Sequence, residues 1–280
     1  MTPDEAAGEV ARERGLPRPE LVRAGMNHTF RAGAEAIRVS TSEFQTPLHE
    51  ITDALRAAGV AHARPTGPVI RFPELEVTTW RWVDASAPDI DFEALGDSVA
   101  RLHRMGRSQF QALEPIGSCT RFAHLDLDAA FGSIRDDLDD AARSSLEAEL
   151  ASLSGWRDMV GAADQVICHG DMHWNNVIAP ATLIDWDLLC SAPPSWDHAA
   201  LIAGTRRWGL DTASYDQFAS GYGIDFRGDE LAELLVRLRD LAATIMMGVR
   251  AQLIAAADVE FQRRLRTWRG DPNAPTWTAL

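Results

Sequence analysis

His169, Asp171, His173, Asn176, Asp185 and Asp187 all fall within Gln165 to Leu189, QVICHGDMHWNNVIAPATLIDWDLL. Loops between short strands need far less polar chemistry than this for solubility. The residue types allow three readings. In the first, Asp171 accepts the proton of an attacking hydroxyl. Asn176, five residues on, and Asp185 then offer oxygen ligands to a Mg²⁺ that bridges nucleotide phosphates. In the second, His169, Asp171, His173 and Asp185 ligate the transition metal of a hydrolase, because an HxDxH string offers two imidazoles and a carboxylate. In the third, the histidines only hydrogen-bond loop backbone. Ligand chemistry favours the first: zinc prefers N and S donors and would leave Asn176 idle, whereas Asn with two Asp is an oxygen-only set suited to Mg²⁺.

Such a cluster needs elements to hold it. The apolar runs Val166 to Cys168, Val177 to Ile178 and Leu183 to Ile184 predict short strands. A loop presents Asp171, a strand carries the chain away, and a return strand brings Asp185 back. The first 83 residues read as strand-rich with one helix. Leu21 to Arg31 predicts two strands joined at Gly25, and Ala34 to Val39 a strand carrying Arg38. Leu48, Ile51, Leu55 and Ala58 mark a helix stopped by Gly59, with Glu50 off that stripe. Val69 to Phe72 and Val77 to Val83 predict a hairpin. The polar, Pro-containing Asp84 to Asp91 places a boundary between an N-terminal lobe, residues 1–83, and a C-terminal lobe, residues 84–280. Beyond it, Phe92, Leu95, Val99 and Leu102 repeat at helical spacing, as do Leu231, Leu234, Leu235, Leu238 and Leu241. The acidic stretch Asp126 to Leu153 reads as a solvated amphipathic helix pair.

Composition removes whole classes of function. With 27 basic and 41 acidic residues among 280, the formal charge is 27 − 41 = −14, which argues against a nucleic-acid partner. Every basic residue is Arg, so Schiff-base chemistry and the usual P-loop lysine are excluded. Cys119, Cys168 and Cys190 have no CxxC spacing, which suggests neither a disulfide framework nor a thiolate metal site and fits a reducing cytosol. Met1 to Glu20 is polar, and no run reaches about 18 uninterrupted apolar residues, so a cytoplasmic protein without a membrane partner is expected.

HGDMHWNNV followed by LIDWD resembles the catalytic and metal loops of the aminoglycoside phosphotransferase and choline kinase family. The likeness extends to GMNHTFR, the phosphate-covering loop; AIRV, the nucleotide-binding strand; Glu50, the first-helix acid; and LGDSVARLH, the helix after the hinge. It implies an α+β, protein-kinase-like bilobal fold with a small β-rich N-lobe and a larger, mainly helical C-lobe. It implies Asp171 as catalytic base, Asn176 and Asp185 as Mg²⁺ ligands, and Asp187 where some members carry a further acid. His169 would brace the catalytic loop, His173 would be structural or near the acceptor, and Asp197 would tie the loop down through backbone donors. Gly25, Asn27 and Thr29 would fold over the triphosphate. Trp80 to Val83 would present hinge backbone to the adenine, with Trp80 or Trp82 as an apolar wall and Val83 at its end. Arg38 stands where the family usually has a Lys that grips phosphates and pairs with the helix acid, here Glu50. Arg keeps the charge and offers a bidentate fork. Asn175 stands where Gly is common, and SAPPSWD where Gly-Asp-Pro is common.

The function so implied is transfer of the γ-phosphoryl group of Mg-ATP to a hydroxyl of a small molecule. A charge of −14 would steer a cationic acceptor such as an aminoglycoside or amino sugar, as in antibiotic resistance. Acidic residues for it could come from Asp126 to Asp140, or from Asp225, Asp229 and Glu230. The rival readings are a non-catalytic nucleotide-binding pseudokinase, supported by Arg38 alone, and a metal hydrolase using His169, Asp171 and His173, which leaves Arg38 and Glu50 without work. Oligomeric state is not legible in the sequence.

Overall fold

In the computed structural model, which describes residues 1–24, 27–41, 48–83, 89–113, 116–122 and 125–278, alternation of side chains sets the architecture of the N-terminal region. Strands β1 (Glu20–Ala24), β2 (His28–Ala32), β3 (Glu35–Thr41), β4 (Ile70–Arg71) and β5 (Leu75–Arg81) form an antiparallel sheet in the order β1-β2-β3-β5-β4. Phe30, Ile37, Val39 and Val77 point to one face and are buried. Arg38, with Thr29 opposite it on β2 and Thr78 opposite it on β5, therefore points to the other.

Helix α1 (Pro3–Glu13) covers the apolar face through Ala6, Ala7, Val10 and Ala11. The sequence reading expected one helix in this region, and α1 is a second. Its signal is a capping box: the Glu5 N–H donates to the Thr2 hydroxyl at 3.3 Å, and the Thr2 N–H donates to the Glu5 carboxylate at 2.8 Å. Small apolar residues at helical spacing inside an acidic, Ala-rich segment do not stand out as a core face. Helix α2 (Leu48–Ala57) buries Leu48, Ile51 and Leu55 and is followed by Gly59 at φ +72°. Gly25 and residues 84–88 of the expected linker lie outside the described residues.

From residue 89 the described chain is mainly helical: α3 (Phe92–His103), α4 (Leu127–Ile134), α5 (Asp140–Ser152), α6 (Trp156–Ala162), α7 (Ser195–Arg207), α8 (Thr212–Tyr222), α9 (Glu230–Ala251) and α10 (Ala255–Trp268). Helices α3 and α8 cross at backbone contact. A Cβ on Gly96 would lie 2.1 Å from the Phe218 carbonyl oxygen, and one on Gly221 would lie 1.9 Å from that of Glu93. Cys119, Cys168 and Cys190 are buried free thiols. Burial pushes the Cys119 pKa up to about 12 and raises the other two well above the usual range. No described helix is long and apolar enough to cross a membrane.

His198 on α7 is fully buried against Tyr215, Phe218, Tyr222 and Phe226, with the Tyr215 hydroxyl 3.0 Å from its Nδ1 and no partner for Nε2 among the described residues. Burial, and then the nearby His103, lowers its pKa to about 3. A histidine depressed on folding is stabilising above its unfolded pKa of about 6.5, and that contribution is lost as pH falls towards the folded value. Between pH 6.5 and 5 this one group is worth about 2 kcal/mol, at roughly 1.4 kcal/mol per pH unit. The melting temperature should therefore drop across that interval, and His198→Phe should flatten the drop. An unchanged pH slope in the variant would show that His198 does not titrate against folding.

Candidate active site

Four short strands position the polar cluster. β6 (Val166–Cys168) and β9 (Cys190–Ala192) pair antiparallel, and between them β7 (Val177–Ile178) and β8 (Thr182–Leu183) form the small hairpin that the sequence spacing predicts. The Ile184 N–H donates to the Asn176 carbonyl at 3.0 Å, which extends the hairpin by one step and sets Asp185 back beside the loop that starts at His169. Two residues need left-handed backbone. Gly170 has φ +88°, and a Cβ there would sit 1.8 Å from the Leu188 carbonyl oxygen, so no side chain fits. Asp185 has φ +65°, a conformation that Asp tolerates better than most residues but that still costs on the order of 1 kcal/mol.

Asp171 and Asn176 are held together. The Asn176 amide donates from Nδ2 to the Asp171 carboxylate (Oδ2) and to the Asp171 backbone carbonyl, each at 3.0 Å. This uses the nitrogen and leaves the amide oxygen without a partner among the described residues. His169 spends both ring nitrogens on backbone: Nδ1 accepts from the Asp171 N–H at 3.3 Å and Nε2 donates to the Ile184 carbonyl at 2.9 Å. His173 stacks on Trp174 with ring centres 3.8 Å apart and accepts from the Asn175 N–H. Burial lowers its pKa to about 4, so its ring is neutral at pH 7. His169, Asp171 and His173 are thus not gathered as a ligand set. Among the described residues, the group of three such ligand atoms within 4.8 Å is His103, Cys168 and Asp197, and all three are committed to protein hydrogen bonds.

Arg38 reaches this loop from β3. Its guanidinium donates to both carboxylate oxygens of Asp187, one at 3.2 Å, and to Asp185 at 3.3 Å. The expected pairing with Glu50 does not form: Glu50 lies exposed on α2 and makes no ion pair or hydrogen bond with another described residue. Two carboxylates on one short loop outcompete one on a solvated helix face, since pairing of exposed charges gains little. Burial raises the Asp185 pKa, and so do the charges of Asp187 and Asp171, against the opposing pull of Arg38. Glu76 on β5 is an acid that the sequence reading missed. It is buried, pairs with Arg71 at 3.2 Å, and feels the charges of Asp187 and Arg38. Its signal was a charged residue inside an otherwise β-forming run. Asn27 lies half-buried at the bend before β2, and Thr29 lies beside Arg38. The Trp82 backbone N–H donates to the Ala34 carbonyl at 2.9 Å, its ring lies 4.9 Å from the Arg31 guanidinium, and Val83 follows half-buried.

Beneath the loop sits Asp197, on α7 and wholly buried. It accepts from the His169 N–H at 2.8 Å, the Gly170 N–H at 3.0 Å and His103 Nε2 at 3.1 Å, while the Tyr222 hydroxyl meets His103 Nδ1 at 2.9 Å. Burial alone would raise the Asp197 pKa, but these donors hold it below the usual carboxylate range. On its other side Asp171 borders a cavity of about 240 Å³ whose walls include Trp196, Trp208, Leu235, Leu238 and Met246. None of the acidic residues in Asp126 to Asp140, nor Asp225, Asp229 or Glu230, lines it. Asp128 instead borders a separate cavity of about 500 Å³ together with Arg135 and Glu147.

The model of the phosphotransferase enzyme family matches residues 48–235. No curated protein matches the sequence. Among solved structures, the GDP complex of aminoglycoside 2'-phosphotransferase-IIIa superposes with a TM-score of 0.72 at 14% identity, covering 96% of this chain and 99% of that one. The AMP-bound complex of spectinomycin phosphotransferase gives a TM-score of 0.70 at 12% identity, over 96% and 98%. A choline/ethanolamine kinase family protein from Mesorhizobium loti gives 0.62 at 18% identity, over 97% and 96%. At these identities the likeness is one of fold, and the fold is protein-kinase-like, with a β-sheet N-terminal region and a mainly helical remainder.

Proposed function

The chain belongs to the phosphotransferase enzyme family, and we propose that it transfers the γ-phosphoryl group of Mg-ATP to a hydroxyl of a small molecule. The observation that carries this reading is that Arg38, from β3, bonds Asp185, while Asp171, held by Asn176, lies near enough for its charge to act on Asp185. The nucleotide would lie between residues 1–83 and residues 84–280, under Asn27 and Thr29 and against the backbone of Trp82 and Val83.

The donor set suits Mg²⁺. Asn176 has an amide oxygen without a partner among the described residues, and Asp185 and Asp187 set two carboxylates against one guanidinium, an oxygen-only set with surplus negative charge. Asn176 and Asp185 would hold the ion, which when bound neutralises charge on the phosphates. Arg38 would exchange part of its pairing with the aspartates for phosphate oxygens, as a fork of five donors allows. Asp171, oriented by Asn176, would accept a hydrogen bond from the acceptor hydroxyl and take its proton as the oxygen attacks. Most of the catalysis is then positioning and charge neutralisation rather than covalent chemistry by the protein.

The test is equilibrium binding of ATP with and without Mg²⁺, followed by ADP release across aminoglycosides, amino sugars, nucleosides, choline, hydroxy acids and simple alcohols. Mg-dependent ATP binding with acceptor-dependent ADP release is the expected result. Mg-independent binding without release from any acceptor would favour a pseudokinase. No saturable ATP binding would sink the reading.

A further inference from the structure

The cavity beside Asp171 is as informative for what it lacks as for what lines it. Helix α9 contributes Leu235, Leu238, Ala242 and Met246, a stripe at helical spacing, and α7 faces it with Trp196 and two alanines. Among the described lining residues, the charged side chains are Asp171 and Arg239 alone; His173 is neutral at pH 7. Arg239 lies across the Trp196 ring at 5.4 Å. It spends its guanidinium on two backbone carbonyls, Trp196 at 3.1 Å and Gly170 at 3.5 Å, and forms no ion pair with a described carboxylate. Other arginines of α9 and its neighbours are paired: Arg237 with Glu149, Arg206 with Glu233 and Arg207 with Asp240. A half-buried guanidinium that lines an apolar cavity and pairs with no described carboxylate has donors to spare.

Resting on the phosphotransferase reading above, we infer that the acceptor is a compact hydroxy acid. Its apolar body fills the walls of Trp196, Trp208 and α9, its carboxylate pairs with Arg239, and its hydroxyl meets Asp171. The planar fork of Arg matches a carboxylate bidentately, and such charge-assisted pairs are about twice as strong as neutral ones. Size agrees: about 240 Å³ is below the roughly 300–1,000 Å³ of pockets that take drug-sized ligands, so a compact acceptor suits it better than a polycyclic one. Charge agrees as well. A polycation would bring its ammonium groups against Arg239 in a cavity whose single acid must serve the reacting hydroxyl. The chain's net charge of −14 resides on other surfaces.

The reaction balances without a further reactant. The hydroxyl oxygen of the acid bonds to the γ-phosphorus, the bond from that phosphorus to the β,γ-bridging oxygen breaks, and ADP leaves with the electron pair. The hydroxyl proton passes to Asp171 and then to water.

The experiment compares ADP release from Mg-ATP with aryl and branched-chain hydroxy acids, their primary amides, and aminoglycosides or amino alcohols. It uses wild type, Arg239→Gln and Arg239→Glu, with calorimetric binding of ATP and of the acids alongside. Hydroxy acids should be turned over, and preferred to their amides about tenfold or more, as expected of one charge-assisted pair. Arg239→Gln should cut that acid-to-amide preference about tenfold, and Arg239→Glu should abolish it. Preferential turnover of amines or of the amides would overturn the inference while leaving the phosphotransferase intact. So would saturable ATP binding with neither turnover nor Arg239-dependent binding of any hydroxy acid. Loss of ATP binding altogether would instead take down the reading on which it rests.

Discussion

Asp171→Asn should lower turnover by about 10²- to 10⁴-fold, the usual contribution of a positioned proton acceptor, while ATP affinity and melting temperature stay close to wild type. The substitution is nearly isosteric, so its carbonyl oxygen can still accept from Asn176 Nδ2, which now bonds the carboxylate at 3.0 Å. What it removes is the negative charge and the ability to take a proton. A residue that merely braced the loop would tolerate this change, because the bracing hydrogen bond survives. Steady-state kinetics with an accepted substrate, together with titration of ATP and a thermal melt, separate the cases. Activity within a few-fold of wild type would remove Asp171 from the chemistry.

Asp197→Ala should be the most damaging single change to the fold of the site. The carboxylate serves three donors at once, the His169 and Gly170 backbone N–H groups and the His103 ring, in a position with no solvent access. Each donor left unpaired in such surroundings costs about 1–3 kcal/mol. The sum, roughly 3–9 kcal/mol, is a large share of the 5–15 kcal/mol typical of a folded domain. Urea unfolding should therefore show a much lower midpoint. Asp197→Asn should lose less, since one oxygen remains to accept, but its NH₂ group then faces a donor. Catalysis should fall in both, because the bracket holds the two residues that precede Asp171. A loss under about 1 kcal/mol for the alanine variant would show that the loop does not depend on this bracket.

Much of this site is local in sequence, which is why it could be read there. Asp171, Asn176 and Asp185 are joined by a hairpin only a few residues long, and apolar runs at strand spacing mark its two arms. The strands around Arg38 and the stripes of α3 and α9 were legible because one face of each is buried. What could not be read depends on long-range packing. Arg38 meets Asp187 across 149 positions and His103 meets Asp197 across 94, separations that no periodicity reports. The expectation for Glu50 came from resemblance, and the solvated face of α2 overrides it. Arg239 lies in LVRLRDLAATIMM, where helical spacing identifies a buried stripe but does not tell which of two arginines turns inward. Only the packing of α9 against α7 settles that, placing Arg237 at Glu149 and Arg239 at the cavity.

The three buried thiols have a practical consequence. With no lysine in the chain, amine-directed reagents find no side chain to attack, and Cys119, Cys168 and Cys190 are both inaccessible and far from forming thiolates. A cysteine introduced on an exposed position of β1 and another on α10 would be the reactive handles in the native protein. Fluorophores placed there would report the distance between β1 and α10 without background labelling.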